Sequence, residues 1–232
     1  MLQSLPPVGI LIIGLNILFT YIGFKNDAFF EKYRFNIGSI KAGEYFRLLS
    51  SGFLHVNTTH LLFNMFTFYF FVNFVVGMLG TAAFLALFLG SLLAGNFFGY
   101  YFHYKQDYYS AVGASGAVTG VLFSALLLYP NIELMLFLIP IPIPGYLFGI
   151  GYILYTLYGM KSQSDTIGHT AHFGGAIGGI LITLIVMPEV IYSSVLMLSI
   201  LSFAVVVAGV LLYRQRNLFT KSRVARQSFA QA

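Results

Sequence analysis

The sequence predicts an all-α membrane protein that crosses the bilayer several times, and three observations carry that prediction. Only 8% of residues are charged, against roughly 25% in an ordinary soluble domain. Apolar residues make up 58% of the chain. The charge-free stretches are long, covering residues 1–24, 48–104, 108–132, 134–160, 166–188 and 190–213. A helix needs about 20 apolar residues to span the hydrocarbon core, so each stretch holds one span and the second holds two. Cysteine is absent, which excludes disulfides, thiolate chemistry and cysteine-ligated zinc.

The elements follow in order. The first helix covers about Pro6 to Phe24. No basic leader or cleavage site precedes it, so it reads as a retained helix. Residues 25–55 form a long connection that mixes charge with Phe29, Phe30, Tyr33, Phe35, Tyr45 and Phe46, the composition of a segment lying partly in the membrane interface. The second helix spans about Thr58 to Val76, and Gly77 to Gly80 turn the chain into the third, about Thr81 to His103. The fourth begins near Ser115 and stops before Pro130. Pro140, Pro142 and Pro144 exclude a helix there, which leaves Gly145 to Met160 for the fifth. His169 to Met187 forms the sixth and Ser193 to Tyr213 the seventh. Arg214, Arg216, Lys221, Arg223 and Arg226 make a basic end without acidic company, and with it a net charge of +5. Beside a membrane span such a tail reads as a segment lying on anionic lipid rather than a nucleic-acid site.

Seven spans make the second, fourth and sixth helices begin on one side of the membrane. Ionisable and polar groups inside spans are costly, so each is a functional candidate. Those in the first turns of these three helices are His60 and Asn64, then Ser115, then His169 and His172. They share a shallow depth and can converge. His60 and Asn64, four apart, lie on one helix face. Ser115 follows Gly113 and Ala114 at a helix start, where free N–H groups and the dipole favour developing negative charge. Gly116 and Gly120 form one small-residue stripe, Gly175 and Gly179 another, and packing the two together brings Ser115 and His172 to the same end of a tight contact. A serine hydroxyl needs such a base to become nucleophilic. The Ser115 N–H with the His60 and Asn64 side chains would then hold the oxyanion. No acidic residue stands near the pair within the spans, with Asp165, a turn outside His169, as the one exception.

The run His55-Val-Asn-Thr-Thr-His60-Leu-Leu-Phe-Asn64, then Gly113-Ala-Ser115-Gly116, then Ala171-His172-Phe-Gly-Gly175 with Gly179, resembles the signature of the rhomboid family in order and spacing. The resemblance covers roughly residues 5–188. It implies a rhomboid-like bundle: a catalytic core over 1–188 with 25–55 as its long first loop, a seventh helix at 189–213, and the tail at 214–232. It implies an intramembrane serine endopeptidase with Ser115 and His172 as catalytic dyad and His60 and Asn64 completing the oxyanion hole. His55 matches the structural histidine of the same motif, and Gly113, Gly116, Gly175 and Gly179 support it. Glu44, Phe46 and Arg47 resemble the end of a first-loop motif, with Phe46 where tryptophan is more usual. The implied substrates are membrane proteins cut in or near a transmembrane helix; no metal or cofactor is implied, and the expected location is a bacterial plasma membrane. Thr119, four residues after the serine, replaces an aromatic that often stacks on the catalytic histidine, a loss expected to loosen the His172 ring.

Blander readings stand beside these. Ser115 could be a packing residue, and His60 with Asn64 could hydrogen-bond between helices. His169 and His172 could suggest zinc, but the chain has no His-Glu-x-x-His; a structural or interfacial role suits His169, and an interfacial one His103. An inactive rhomboid-like protein that binds membrane clients, or a transporter, are the rival functions. A transporter predicts inverted repeats and broken helices. If His172 is the base, activity rises with pH through the usual histidine range, about 6.5. The 12 Lys and Arg residues fall on the face of the site, which the positive-inside rule assigns to the cytoplasm. The resemblance implies the reverse, a cytoplasmic N-terminus and a site opening outside, and that orientation is the expectation adopted.

Overall fold

The computed structural model describes residues 4–136, 139–162 and 168–229, with the backbone alone at 136, 139, 140 and 215–229. Asp165 lies outside the described residues. Helix α1 is Pro7–Lys25, opened by a proline in the first turn, where its missing N–H costs nothing. The first loop then folds into short pieces: α2 (Asp27–Tyr33), β1 (Phe35–Asn36), α3 (Ile37–Lys41), α4 (Arg47–Ser50) and a 3-10 turn at Ser51–Phe53. Asn26 and Asn36 cap α2 and α3 with their side-chain carbonyls, accepting from Phe29 N–H and Ser39 N–H at 2.9 Å each.

Helix α5 is continuous by hydrogen bonding over Thr58–Phe102 but breaks at Gly80, whose φ of 76° and ψ of 167° leave the helical region. The break is a reversal. Phe68 and Phe88 lie 20 positions apart, about 30 Å along a straight helix, yet their ring centroids are 5.6 Å apart. The expected pair of helices joined near Gly80 is therefore present as two antiparallel limbs.

Helix α6 (Ser115–Leu128) is the centre of the bundle, with every residue from Gly116 to Leu128 buried. The two limbs of α5 and helix α8 (His169–Val186) pack around it. Helix α7 (Gly145–Ser162) lies against α8 and α10. A short α9 (Val190–Ser193) leads into α10 (Val195–Phe229), so the helix runs on through the basic residues. The proline run, read only as excluding helix, forms β4 (Ile139–Pro144), paired antiparallel with β3 (Glu133–Leu136).

Among the described residues, four helices are long and apolar enough to cross a membrane: Pro7–Lys25, Thr58–Phe102, His169–Val186 and Val195–Arg214; Ser115–Leu128 is apolar but shorter. Their lipid-side faces stay apolar and exposed, as at Phe63 (68%), Phe203 (72%) and Ile185 (77%). Several polar side chains inside the bundle bond to backbone or to one another, whereas Ser91 Oγ and Thr156 Oγ1 are buried without a hydrogen-bond partner among the described residues. Thr183 Oγ1 donates to Ser124 Oγ at 2.8 Å, and Ser194 Oγ to the Leu127 carbonyl at 2.6 Å.

Candidate active site

The start of α6 is held from below. Gly113 N–H donates to the Ser51 carbonyl at 3.0 Å, and β1 pairs with β2 (Ser110–Ala111), Phe35 opposite Ala111. The first loop thus splints the segment that leads into Ser115. Its own internal tie is Arg47, 7% exposed. The guanidinium donates to Glu44 Oε2 at 2.6 Å and to the carbonyls of Glu31 and Arg34 at 2.7 and 2.9 Å. Asn96, on the second limb of α5, donates to the Leu48 carbonyl at 2.7 Å and fixes the loop to the bundle.

Ser115 is the first residue of α6, and the preceding Ala114 offers no side-chain cap. The first N–H groups of that helix therefore have no partner within it. Gly113 has φ of 134°, a conformation that only glycine adopts without strain. A Cβ there would also lie 2.7 Å from His60 Cε1, 2.9 Å from His60 Nε2 and 3.8 Å from Ser115 Oγ. The His60 imidazole and the Ser115 hydroxyl thus border one small space above a glycine that must stay bare.

His60 reaches that space because Asn57 caps α5, its Oδ1 accepting from His60 N–H at 2.8 Å. Asn64 is buried one turn on, and its amide donates to the His60 carbonyl at 3.1 Å. His55 is fully buried behind His60; its Nδ1 sits 2.9 Å from Thr20 Oγ1, and its ring meets the His60 ring edge-on at 4.9 Å. Burial pushes the His55 imidazole down to about 3, with the neighbouring His60 adding to the shift, so it is neutral at physiological pH.

The stripes pack as the spacing anticipates. A Cβ on Gly116 would lie 3.2 Å from the Ala171 carbonyl oxygen, and one on Gly120 would lie 3.1 Å from that of Gly175. Added to Gly175 or Gly179 it would collide with the backbone of Gly116 or Gly120. Along the chain Ser115 precedes the first of these contacts and His172 follows Ala171, so both residues fall at the same end of the contact between α6 and α8.

His172 itself is 9% exposed. Its Nδ1 lies 3.2 Å from the Tyr152 hydroxyl on α7, and that hydroxyl lies 2.7 Å from Thr119 Oγ1. The Tyr152 ring stacks over the imidazole at 5.9 Å with 28° between planes. The ring missing at Thr119 is thus supplied from another helix, and the expected loosening of His172 does not follow. Sequence reasoning missed Tyr152, one aromatic among several on α7.

His169 is buried, as its structural reading allows: its ring packs on Gly159 and edge-on against Tyr155 at 5.1 Å. His103 is also buried, stacked on Tyr109 at 3.6 Å with 8° between planes. Burial lowers its pKa, opposed by its hydrogen bond to Gln106. Among the described residues, no three His, Asp or Glu side chains come together as a metal site.

Known proteins are similar to this chain in sequence. The family model of the rhomboid domain matches residues 42–189. RHOMBOID-like protein 12, mitochondrial, of Arabidopsis thaliana is 26% identical over 185 residues, covering 73% of this chain and 54% of that protein. Rhomboid protein 1, mitochondrial, of Saccharomyces cerevisiae is 28% identical over 137 residues, covering 58% of this chain and 40% of its own length. YdcA of Bacillus subtilis, named a candidate rhomboid protease, is 41% identical over 87 residues, 38% of this chain and 42% of that one. The chain spans about half the length of these relatives. With the motifs, the helices that carry them and the family match all on the same stretch, the chain belongs to the rhomboid family.

Proposed function

We propose that this chain is an intramembrane serine endopeptidase that cuts transmembrane segments of other membrane proteins. One observation carries the reading. Ser115 opens a buried helix whose Gly116 packs on Ala171 and Gly175 of the helix that carries His172, and the His60 imidazole borders the same small space as the Ser115 hydroxyl. At 1.5 Å per residue, the 14-residue α6 is about 21 Å long, well short of a hydrocarbon core of about 30 Å. Such a helix sets Ser115 below the membrane surface, where only a membrane-embedded substrate or one drawn in from the edge would meet it.

The chemistry is that of acyl transfer. Ser115 Oγ attacks the substrate carbonyl carbon while its proton passes to His172. The oxyanion is held by the Ser115 N–H with His60 and Asn64. The tetrahedral intermediate collapses as His172 returns the proton to the leaving amine, and water then hydrolyses the acyl-serine by the same steps. Nδ1 of His172 lies 3.2 Å from the Tyr152 hydroxyl, and the proposed reaction assigns Nε2 to the serine. The Asn64 amide gives one of its two hydrogens to the His60 carbonyl, which leaves the other for an oxyanion.

The helices are read as seven crossings, six in the core and α10 outside it, with the N-terminus opposite the site. The membrane is read as a bacterial plasma membrane on the Bacillus subtilis relative; the mitochondrial relatives make a mitochondrial membrane the second reading. A rhomboid-like protein that binds membrane clients without cutting them is the rival function. It is favoured by an apolar cavity of about 870 Å³. Phe63, Phe66, Phe70, Tyr129 and Phe148 line that cavity on the flank of the bundle. Cleavage of a single-span substrate in liposomes separates the two. The protease reading expects cleavage by the natural chain and none by Ser115→Ala or His172→Ala; a folded natural chain that binds several substrates and cuts none favours the client binder.

A further inference from the structure

We infer that Tyr152, backed by Thr119, is the positioning residue that holds His172 in the tautomer required of a base. This rests on the protease reading of Ser115 and His172 and deepens it. A neutral imidazole accepts a serine proton at Nε2 only if its one N–H is on Nδ1. The other tautomer puts the hydrogen where the lone pair is needed. Something facing Nδ1 must therefore accept a hydrogen bond, the task an aspartate performs in a serine triad.

The group on that side of His172 is the Tyr152 hydroxyl, at 3.2 Å from Nδ1. A phenol can donate or accept, so its direction depends on where its own proton goes. Thr119 Oγ1 lies 2.7 Å from the same hydroxyl. An O–H···O bond has its usual length near 2.7 Å, while 3.2 Å is the long end for N–H···O. The pair of distances matches a phenol that donates to Thr119 and accepts from His172. Thr119 is free to accept because a threonine inside a helix can donate its own proton to a carbonyl one turn back. The order is then His172 Nδ1–H to Tyr152 oxygen, and Tyr152 O–H to Thr119 oxygen.

Two features make the chain of bonds firm. The tyrosine ring is stacked on the imidazole, with 28° between planes, which fixes the ring's rotation as well as its tautomer. Thr119 is 2% exposed, so its hydroxyl meets little competition from water. When His172 takes the serine proton, Nδ1–H stays on the phenol oxygen and no carboxylate is needed.

The test uses the full chain in lipid nanodiscs and liposomes. Tyr152→Phe keeps the ring and removes the hydroxyl; Thr119→Val removes the backing acceptor, and Thr119→Ser restores it. Loss of such an outer partner costs about 10–100-fold in activity. Tyr152→Phe is expected to lose that in kcat with KM unchanged, Thr119→Val to lose less, and Thr119→Ser to match the natural chain. A Tyr152→Phe variant with natural kcat overturns the inference while leaving the protease reading intact. Nitrogen-15 NMR of labelled histidine, with the His172 signal identified by its loss in His172→Ala, reads the tautomer without turnover. Nδ1–H in the natural chain that moves to Nε2–H in Tyr152→Phe supports the inference even if no substrate is cut. An unchanged tautomer overturns it.

Discussion

Tyr152 on α7 and Thr119 on α6 meet at 2.7 Å directly behind His172. The relationship joins three helices at one hydroxyl. The ring beside His172 thus comes not from position 119, four residues after Ser115, but from a residue 33 positions beyond Thr119.

The glycine contact between α6 and α8 has little slack. Gly175→Ala puts a methyl into the Gly116 carbonyl, and overpacking of that kind costs roughly 1–3 kcal/mol. SDS titration of the purified protein is expected to show that loss, with cleavage falling alongside. Gly151→Ala, on the exposed side of α7 with no atom near the new Cβ, is the matched control. It is expected to stabilise by roughly 0.4–1 kcal/mol.

Gly113→Ala tests the loop before Ser115. Alanine is strained at φ of 134° and meets the His60 ring at 2.7 Å. Since a lost oxyanion donor costs about 10²–10³ in kcat, a fall of at least tenfold is expected, with fold retained by circular dichroism. Natural turnover in Gly113→Ala would remove His60 from the proposed oxyanion site.

The buried His55 makes stability depend on pH. Its folded value is about 3 and its unfolded value about 6.5, so between these the unfolded chain binds more protons. Stability from this group is therefore full above about pH 6.5 and falls as the pH drops toward 3. Unfolding measured across that window should show a shallower slope in His55→Gln than in the natural chain. Equal slopes would mean that His55 is not the group responsible.

Arg47 holds the first loop by one carboxylate and two carbonyls. A lysine cannot reach all three, since its ammonium is a single point rather than a planar fork. Arg47→Lys is expected to lose roughly 1.5–3 kcal/mol, the scale of hydrogen bonds to a charged group. Faster proteolysis within residues 25–55 in intact liposomes is the readout. An unchanged digestion rate would show that the splint of β1 on β2 suffices without it.

Much of this was legible in the chain itself. Most helix ends followed from charge and proline, because a charge or a missing N–H is prohibitive in lipid wherever it falls; the last did not, since α10 runs on past Tyr213 through the basic residues to Phe229. The stripe at Gly116 and Gly120 and its counterpart at Gly175 and Gly179 could be paired from spacing alone, since small residues four apart mark a close approach. Tyr152 could not. Tyr146, Tyr152, Tyr155 and Tyr158 share one helix, and which of them turns inward depends on how α7 leans on α8, a matter of tertiary packing. The strands at 133–144 were hidden for another reason: prolines say where a helix stops, not what extended chain beside them will pair with. The burial of His103 and His169 was not legible either, because which side of a helix faces the bundle cannot be judged from position along one helix.

The two supports of His172 differ in kind. On the serine side, distance is set by backbone against backbone, at Gly116 and Gly175, and a bilayer that thickens or thins has nothing there to compress. On the tyrosine side, the support hangs from a helix whose outer face, Leu147, Leu154 and Tyr158 among others, is bathed in lipid. Lipid composition therefore acts on the protein like a hand on a tuning peg: it leaves the length of the string alone and alters its tension. Acyl-chain length should tell on the orientation of the imidazole before it tells on the fold.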